Sequence, residues 1–215
     1  MDASIHQNQP LERRGASLDE AQVAVLLLHG RGASARSILG LADDLPSEGV
    51  AYLAPQAARH AWYPHSFMAP IEQNEPALSS ALRRIGAVLE EGAATGLPAS
   101  QTVLAGFSQG ACLATEYVAR HPQRYGAVVG LSGGLIGPED AALDHPGSLS
   151  GTPVLLGCSD QDPYIPLERV QDTADALRAM DADVDIRIYP GMGHTVNDDE
   201  LQAARTLVLR LLDGS

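Results

Sequence analysis

The stretch that decides the fold runs from residue 102 to residue 120 and reads TVLAGFSQGACLATEYVAR. Its first part, Thr102 to Phe107, is a short apolar run of the kind that forms a buried strand. Its last part, Ala111 to Arg120, has the composition and spacing of a helix. Gly106-Phe107-Ser108-Gln109-Gly110 lies between them. The pattern therefore predicts a strand, a sharp turn at Ser108 and a helix that starts directly after the turn.

The rest of the chain repeats this alternation of short apolar runs with longer stretches of helical period. Further buried strands are predicted at Val23–Leu28, Val50–Ala54, Ala127–Ser132, Pro153–Gly157 and Val184–Tyr189. Apolar stripes predict helices through Leu78, Leu82, Ile85 and Leu89, through Leu167, Val170, Ala174 and Leu177, and through Leu201, Ala204, Val208 and Leu211. Alternation of this kind is typical of a mostly parallel central sheet with helices on both faces, which is an α/β fold.

The sequence predicts one α/β domain over residues 21–215, preceded by a polar segment, residues 1–20, that forms either an arm or an edge hairpin. Two long connections, Pro55–Pro76 and Gly133–Thr152, follow strand ends, where open α/β sheets place their ligand sites. Neither connection is long enough for a large lid domain, so we expect an open cleft.

Composition excludes several classes of partner. The chain has 215 residues, and its formal net charge of −13 includes 14 basic residues that are all arginine. This balance argues against nucleic acid and stable membrane association. Cys112 and Cys158 have neither zinc spacing nor a disulfide framework and are expected to be reduced thiols. Residues 1–10 lack the basic and then apolar order of a signal peptide, and no apolar run approaches membrane length. We therefore expect a cytoplasmic protein, and a homodimer is compatible with the sequence.

Ser108 is the candidate nucleophile, because a strained strand-to-helix turn needs small residues two positions before and after it. The alternative is a glycine-flanked turn that merely closes a strand. A serine hydroxyl needs a base, and the base needs an orienting acid, in the chain order serine, acid, histidine. His121 is expected to cap the helix after the serine, and His145 lies in a long loop. His194, in a glycine-containing turn after the last strand, is therefore the predicted base.

Two carboxylates, Asp160 and Asp162, follow the strand Pro153–Gly157, and spacing alone does not decide which of them orients the base. An oxyanion hole also needs two backbone N–H groups. The N–H of Gln109, directly after the nucleophile, is one candidate donor. The other candidate donor is the N–H of Arg31, which lies in a loop after an early strand. This loop could also be a phosphate-binding turn, but it lacks the glycine spacing of one.

Four motifs in this order resemble the phospholipase/carboxylesterase family, which includes the acyl-protein thioesterases. They are His29-Gly30-Arg31-Gly32, Gly106–Gly110, Asp160-Gln161-Asp162-Pro163-Tyr164-Ile165-Pro166 and Tyr189-Pro190-Gly191-Met192-Gly193-His194. The resemblance runs from about Val23 to the last helix and implies an α/β-hydrolase fold without metal or organic cofactor. It implies a catalytic triad of Ser108, Asp162 and His194, with Arg31 and Gln109 as oxyanion donors. The sequence departs at Cys158-Ser159, where thioesterases of this group usually carry His-Gly, and at Arg31-Gly32, where many carry Leu-Gly.

Residues 61–67, Ala-Trp-Tyr-Pro-His-Ser-Phe, are similar to a tryptophan-containing segment of bacterial carboxylesterases in this family. The resemblance implies that Trp62 and Phe67 line the substrate pocket, although packing in the core is the alternative. The expected function is hydrolysis of a small-molecule ester or thioester by a serine carboxylesterase. The alternatives are an acyl-protein thioesterase or lysophospholipase acting on longer acyl chains, and a catalytically silent scaffold that binds a ligand.

Overall fold

The computed structural model describes residues 4–214, and its seven strands form one sheet. The strands are β1 (Leu11–Gly15), β2 (Val23–Leu28), β3 (Val50–Pro55), β4 (Thr102–Phe107), β5 (Ala127–Leu131), β6 (Pro153–Ser159) and β7 (Asp183–Tyr189). Their order across the sheet is β1-β3-β2-β4-β5-β6-β7. Only β1 is antiparallel to its neighbour, so the predicted mostly parallel sheet is confirmed.

The helices are α1 (Ala35–Ile38), α2 (Ile71–Asn74), α3 (Ala77–Ala94), α4 (Gln109–Arg120), α5 (Leu167–Ala179) and α6 (Asp198–Leu212), with short 3-10 turns at Leu39–Asp43, Ala58–His60 and Ala99–Gln101. Side chains that alternate along the strands enter two separate cores. Leu26 of β2 packs in one core with α3, α4 and α5, whereas Val25 packs in the other with α1 and α6. The prediction of helices on both faces is thus confirmed, and burial on both faces explains why the central strands are apolar throughout.

The two edges of the sheet differ from what the sequence suggested. The N-terminal segment supplies an edge strand, because β1 pairs with β3, with Leu11 opposite Pro55 and Gly15 opposite Ala51. It does not form a hairpin with the next strand. At the other edge, β7 was expected to be buried and is instead half-exposed, with Asp183 and Asp185 in solvent. Successive side chains of a strand point to opposite faces, and only the face of β7 that packs against α5 is covered, which is why its polar residues alternate with apolar ones.

The parallel strands bring their carboxyl ends to one rim of the sheet. The loops after β2, β4, β6 and β7 therefore converge there, and they contain the candidate residues Arg31, Ser108, Asp162 and His194. Among residues 4–214, the two long connections form no helical lid domain over this rim. No helix in the same part of the chain is long and apolar enough to cross a bilayer.

Candidate active site

The turn at Ser108 has the strained backbone expected of a nucleophile between a strand and a helix. Ser108 has φ 56° and ψ −120°, which a non-glycine residue rarely adopts. Its backbone N–H donates to the Leu131 carbonyl at 2.9 Å, which fixes the turn against β5. A Cβ on Gly106 would lie 2.3 Å from the Gly110 carbonyl, and a Cβ on Gly110 would lie 2.0 Å from the Leu28 carbonyl oxygen. Both glycines are therefore required by close backbone approach.

The structure brings the hydroxyl, the imidazole and one carboxylate together. His194 Nε2 lies 2.9 Å from Ser108 Oγ, and His194 Nδ1 lies 2.7 Å from Asp162 Oδ2. The Asp162 carboxylate must accept from Nδ1–H, so Nε2 is left to accept from the serine hydroxyl. His121 instead donates from Nδ1 to the Tyr117 carbonyl at 3.0 Å and closes the end of α4.

The two candidate carboxylates have different partners. The Asp162 side chain is fully buried, and its Oδ1 accepts from the backbone N–H groups of Tyr164 at 2.9 Å and Ile165 at 3.1 Å. These two bonds aim its other oxygen at His194. Asp160 is exposed, and its Oδ1 accepts from the Gly191 N–H at 2.8 Å. Asp162 is therefore the carboxylate that can orient the imidazole, whereas Asp160 holds the start of the turn that carries it.

A second tether, which sequence reasoning missed, holds the other end of that turn. The buried Ser159 hydroxyl accepts from the Gln161 N–H at 3.1 Å and from the Gly193 N–H at 3.0 Å. Ser159 thus connects the loop after β6 to the residue that precedes His194. The only signal in the sequence was the presence of a serine where related thioesterases carry glycine.

Two backbone donors lie beside the serine. A Cβ built on Gly30 would lie 3.4 Å from Ser108 Cβ, so the loop after β2 passes directly alongside the nucleophile. This loop is held by Gly32 N–H, which donates to the His60 carbonyl at 2.7 Å. Within residues 4–214, the backbone N–H groups of Arg31 and Gln109 donate to no other residue. Both are free to meet a negative charge that develops on a substrate oxygen.

A cleft of about 620 Å³ opens over these residues, a volume typical of small-molecule sites. The His194 ring lies between Phe107 and Tyr164, with ring centroids 4.8 and 5.0 Å away. The lining consists of Arg31, Tyr63, Pro64, His65, Ser66, Phe67, Ser108, Gln109, Cys112, Tyr164, Ile165 and His194. The predicted pocket residue Phe67 is among them.

The pocket role predicted for Trp62 needs correction. Trp62 is completely buried and does not line the cleft. Its indole Nε1–H donates to the His29 carbonyl at 2.9 Å, which pins the ring behind the lining residues. Core packing, the alternative left open by the sequence, describes this side chain, because an indole needs a partner for its N–H when it is buried.

Residues 61–67, here called the wall segment, are held from two sides by amide side chains. Gln109 Oε1 accepts from the Trp62 N–H at 2.8 Å, and its Nε2 donates to the Tyr63 carbonyl at 2.9 Å. The buried Asn74 accepts from the His65 N–H and donates to the Ser66 carbonyl, both at 2.9 Å. The wall of the cleft is therefore fixed by side chains whose roles could not be inferred from sequence, since their partners are backbone groups outside any helix or strand pattern.

Two buried histidines support the same region. His29 Nδ1 lies 2.8 Å from the Gly30 carbonyl, and its Nε2 accepts from the Ala57 N–H at 3.0 Å. His6 Nε2 lies 2.9 Å from the Trp62 carbonyl. Burial lowers the pKa of both imidazoles below its usual value, so both are neutral near pH 7. A neutral ring suits these contacts, in which one nitrogen donates and the other accepts.

Neither cysteine has the properties of a nucleophile. Cys112 contributes to the cleft lining but is almost completely buried, and burial raises the pKa of its thiol to about 12. Burial, together with the nearby Asp162 charge, also raises the pKa of Cys158 to about 12. Both thiols therefore remain protonated at neutral pH. Across residues 4–214 there is no group of three histidine, cysteine or acidic residues that could hold a metal ion.

The chain is similar to known proteins along most of its length. A model of the phospholipase/carboxylesterase family matches residues 15–211. The crystal structure of a phospholipase/carboxylesterase from Dyadobacter fermentans has a TM-score of 0.90 and 42% sequence identity, covering 94% of this chain and 97% of that one. Carboxylesterase SOBER1 of Arabidopsis thaliana is 23% identical over 91% of this chain and 93% of its own length. Acyl-protein thioesterase 1 of Kluyveromyces lactis is 31% identical over 58% of this chain and 56% of its own length.

Proposed function

Because the chain belongs to the phospholipase/carboxylesterase family, we propose that it cleaves esters through an acyl-enzyme on Ser108, with His194 as base and Asp162 as the orienting acid. The family makes it a carboxylic ester hydrolase, in agreement with the resemblance in its sequence. The observation that carries the assignment is the pair of contacts from His194, 2.9 Å to the serine hydroxyl and 2.7 Å to the carboxylate.

In the first half of the reaction, Ser108 Oγ attacks the ester carbonyl carbon while its proton passes to His194 Nε2. The carbonyl oxygen becomes negatively charged and is stabilised by the N–H groups of Gln109 and Arg31. Asp162 stabilises the imidazolium, which then gives its proton to the departing alcohol as the carbon–oxygen bond breaks. The products of this half are the free alcohol and an acyl group bound to Ser108.

In the second half, a water molecule takes the place of the alcohol. His194 Nε2 removes a proton from the water as its oxygen attacks the acyl carbon. Collapse of the tetrahedral intermediate returns that proton to Ser108 Oγ and releases the carboxylic acid. The open cleft gives water direct access to the acyl-enzyme, and neither half requires a redox step.

The length of the preferred acyl chain distinguishes a carboxylesterase from an acyl-protein thioesterase or a lysophospholipase. A cleft of about 620 Å³ without a helical cover among the described residues suits small acyl groups. Preference for small chains is therefore part of the proposal. The similarity to acyl-protein thioesterase 1 motivates the comparison with long chains. A series of p-nitrophenyl esters from acetate to palmitate measures this preference, and highest kcat/KM with the longest chains would favour a thioesterase or lysophospholipase.

The test of the mechanism is Ser108→Ala. We expect kcat for p-nitrophenyl butyrate to fall by about 10⁴ to 10⁶, as for triads that act as a unit, and labelling by a fluorophosphonate probe to disappear. Ser132→Ala is the matched control, since it removes a serine hydroxyl that lies outside the cleft lining and accepts from no backbone N–H in the described chain. It should retain activity and labelling. Wild-type protein that neither turns over these esters nor reacts with the probe would instead fit the silent scaffold.

A further inference from the structure

The charge of the cleft differs from that of the whole protein. The chain carries 27 acidic against 14 basic residues, yet no carboxylate is among the residues that line the cleft. The lining instead includes Arg31, His65 and His194. Its other titratable groups are two tyrosines and Cys112, which are neutral when protonated. A neutral ester does not require a fixed cation at this position.

The Arg31 guanidinium is held at the edge of the cleft. Its Nη1 donates to the Pro64 carbonyl at 2.9 Å and its Nη2 donates to the His65 carbonyl at 2.5 Å. Its Cζ lies 6.0 Å from the centre of the Tyr63 ring. These contacts fix the orientation of a side chain that is otherwise exposed, so little conformational entropy is left to lose when a ligand binds.

Some N–H groups of the Arg31 guanidinium have no acceptor among the described residues. A guanidinium carries five N–H groups, and the two carbonyl contacts use only part of them. Among residues 4–214, no carboxylate lies within 4.0 Å of Arg31, whereas four other exposed arginines, Arg13, Arg14, Arg36 and Arg178, each have one. An exposed, oriented guanidinium without an acidic partner is suited to bind a carboxylate with two parallel hydrogen bonds.

The overall negative charge does not cancel this attraction. At physiological salt the Debye length is about 8 Å, so charges elsewhere on the surface are largely screened from an anion in the cleft. Arg31 itself would be in direct contact with the anion. Local charge therefore decides which ester is bound, whereas the net charge mainly slows the approach of an anion.

We infer that the preferred substrate is an ester that carries a carboxylate or a similar anionic group, and that the Arg31 side chain binds this group. The inference rests on the proposed function, because it treats the cleft beside Ser108 as the ester site. The Arg31 backbone N–H acts on the reacting oxygen and its guanidinium acts on a remote part of the substrate, so replacing the side chain leaves the first role in place. A charge-assisted contact of this kind corresponds to about a tenfold to hundredfold preference.

The experiment compares matched esters that differ only in charge. One pair is mono-p-nitrophenyl adipate and the ester in which an isopropyl group replaces its free carboxylate, which places the charge on the acyl side. The other pair is the acetate of hydroxymethylbenzoate and that of hydroxymethylbenzamide, which places it on the alcohol side. The measured quantity is the ratio of kcat/KM for the anionic ester to that for the neutral one.

For at least one pair, Arg31→Gln should lower this ratio by about tenfold to hundredfold, whereas Arg31→Lys, which keeps the charge, should lower it less. Arg36→Gln is the control for net charge, because the Arg36 side chain is 86% exposed and lies outside the cleft lining. It should leave the ratio unchanged. Melting temperatures of all variants check that each one is folded.

The outcomes separate this inference from the mechanism on which it rests. Equal ratios in wild type and Arg31→Gln for both pairs, with neutral esters still hydrolysed, overturn the inference alone. An equal loss of activity on neutral and anionic esters assigns Arg31 to holding the wall segment and also overturns it. Undiminished hydrolysis by Ser108→Ala overturns both the mechanism and the inference.

Discussion

Replacing Ser159 by alanine removes the acceptor that joins the loop after β6 to the turn before His194. The backbone N–H groups of Gln161 and Gly193 both lose their partner. An unsatisfied donor costs about 1–3 kcal/mol when it is buried; because Gln161 is exposed and Gly193 is half-buried, we expect at most about 1 kcal/mol for each. The total of at most about 2 kcal/mol corresponds to a fall of up to about 4 to 8 °C in Tm for a domain of this size.

Activity should fall together with stability, because Gly193 directly precedes His194. A less restrained imidazole spends less time within reach of the serine hydroxyl, and a displacement of about 1 Å can cost a hundredfold in rate. We expect kcat to fall about tenfold, since the Asp160 contact to Gly191 remains. KM should change little, because Ser159 is not part of the cleft lining. Steady-state kinetics with p-nitrophenyl butyrate and urea unfolding measure the two effects.

Ser132→Ala is the matched control for this substitution. Ser132 is also completely buried, directly after the central strand β5, but its hydroxyl accepts from no backbone N–H within residues 4–214. Its loss should not lower the free energy of unfolding by more than about 0.5 kcal/mol, because no backbone N–H loses its partner. The reasoning is refuted if Ser159→Ala unfolds and reacts like wild type. It is equally refuted if both variants lose the same stability, since the cost would then come from the missing atom rather than from the two bonds.

Two further predictions follow from the triad and the buried histidines. Asp162→Asn should lower kcat by about 10⁴ near neutral pH, as expected when the imidazole is held in the wrong tautomer, and unchanged kinetics would contradict the assigned role. Its melting temperature should remain near that of wild type, because an amide oxygen can still accept from Tyr164 and Ile165. Lowering the pH from about 6.5 to 5.5 should reduce the free energy of unfolding, because burial lowers the pKa of His6 and His29 and the unfolded chain then binds protons that the folded chain does not. Thermal melts across this range should show a shallower pH dependence for His6→Gln than for wild type, and equal slopes would refute the attribution.

Much of the fold could be predicted because the central strands are buried on both faces, which leaves continuous apolar runs in the sequence. The edges could not be predicted in the same way. β1 reads Leu-Glu-Arg-Arg-Gly, and its extended form depends on pairing with β3, a contact distant in sequence. The alternation of Val184, Ile186 and Ile188 with polar residues was the signal that β7 is covered on one face only. The composition of a segment indicates whether it is buried, but it does not indicate which strand it pairs with.

The candidate site shows the same limit. Chain order and turn glycines were enough to select Ser108 and His194, because the nucleophile turn and the last loop have distinctive local sequences. The choice between Asp160 and Asp162 depended on side-chain direction, since both residues follow the same strand and lie at the same rim. Ser159 acts on the backbone of another loop, and Asn74 acts on backbone groups eight and nine residues before it in its own connection; no spacing rule identifies such partners.

The two hydrogen bonds between the Gln109 side-chain amide and the wall segment link the shape of the cleft to the geometry of the reacting centre. Enlarging the pocket by moving this segment would pull on the first residue of α4, whose N–H is the proposed oxyanion donor. Substrate range and turnover are therefore coupled through one side chain. A directed-evolution library that retains Gln109 and Asn74 while varying Phe67 should widen the range of accepted acyl groups with the smallest loss of kcat.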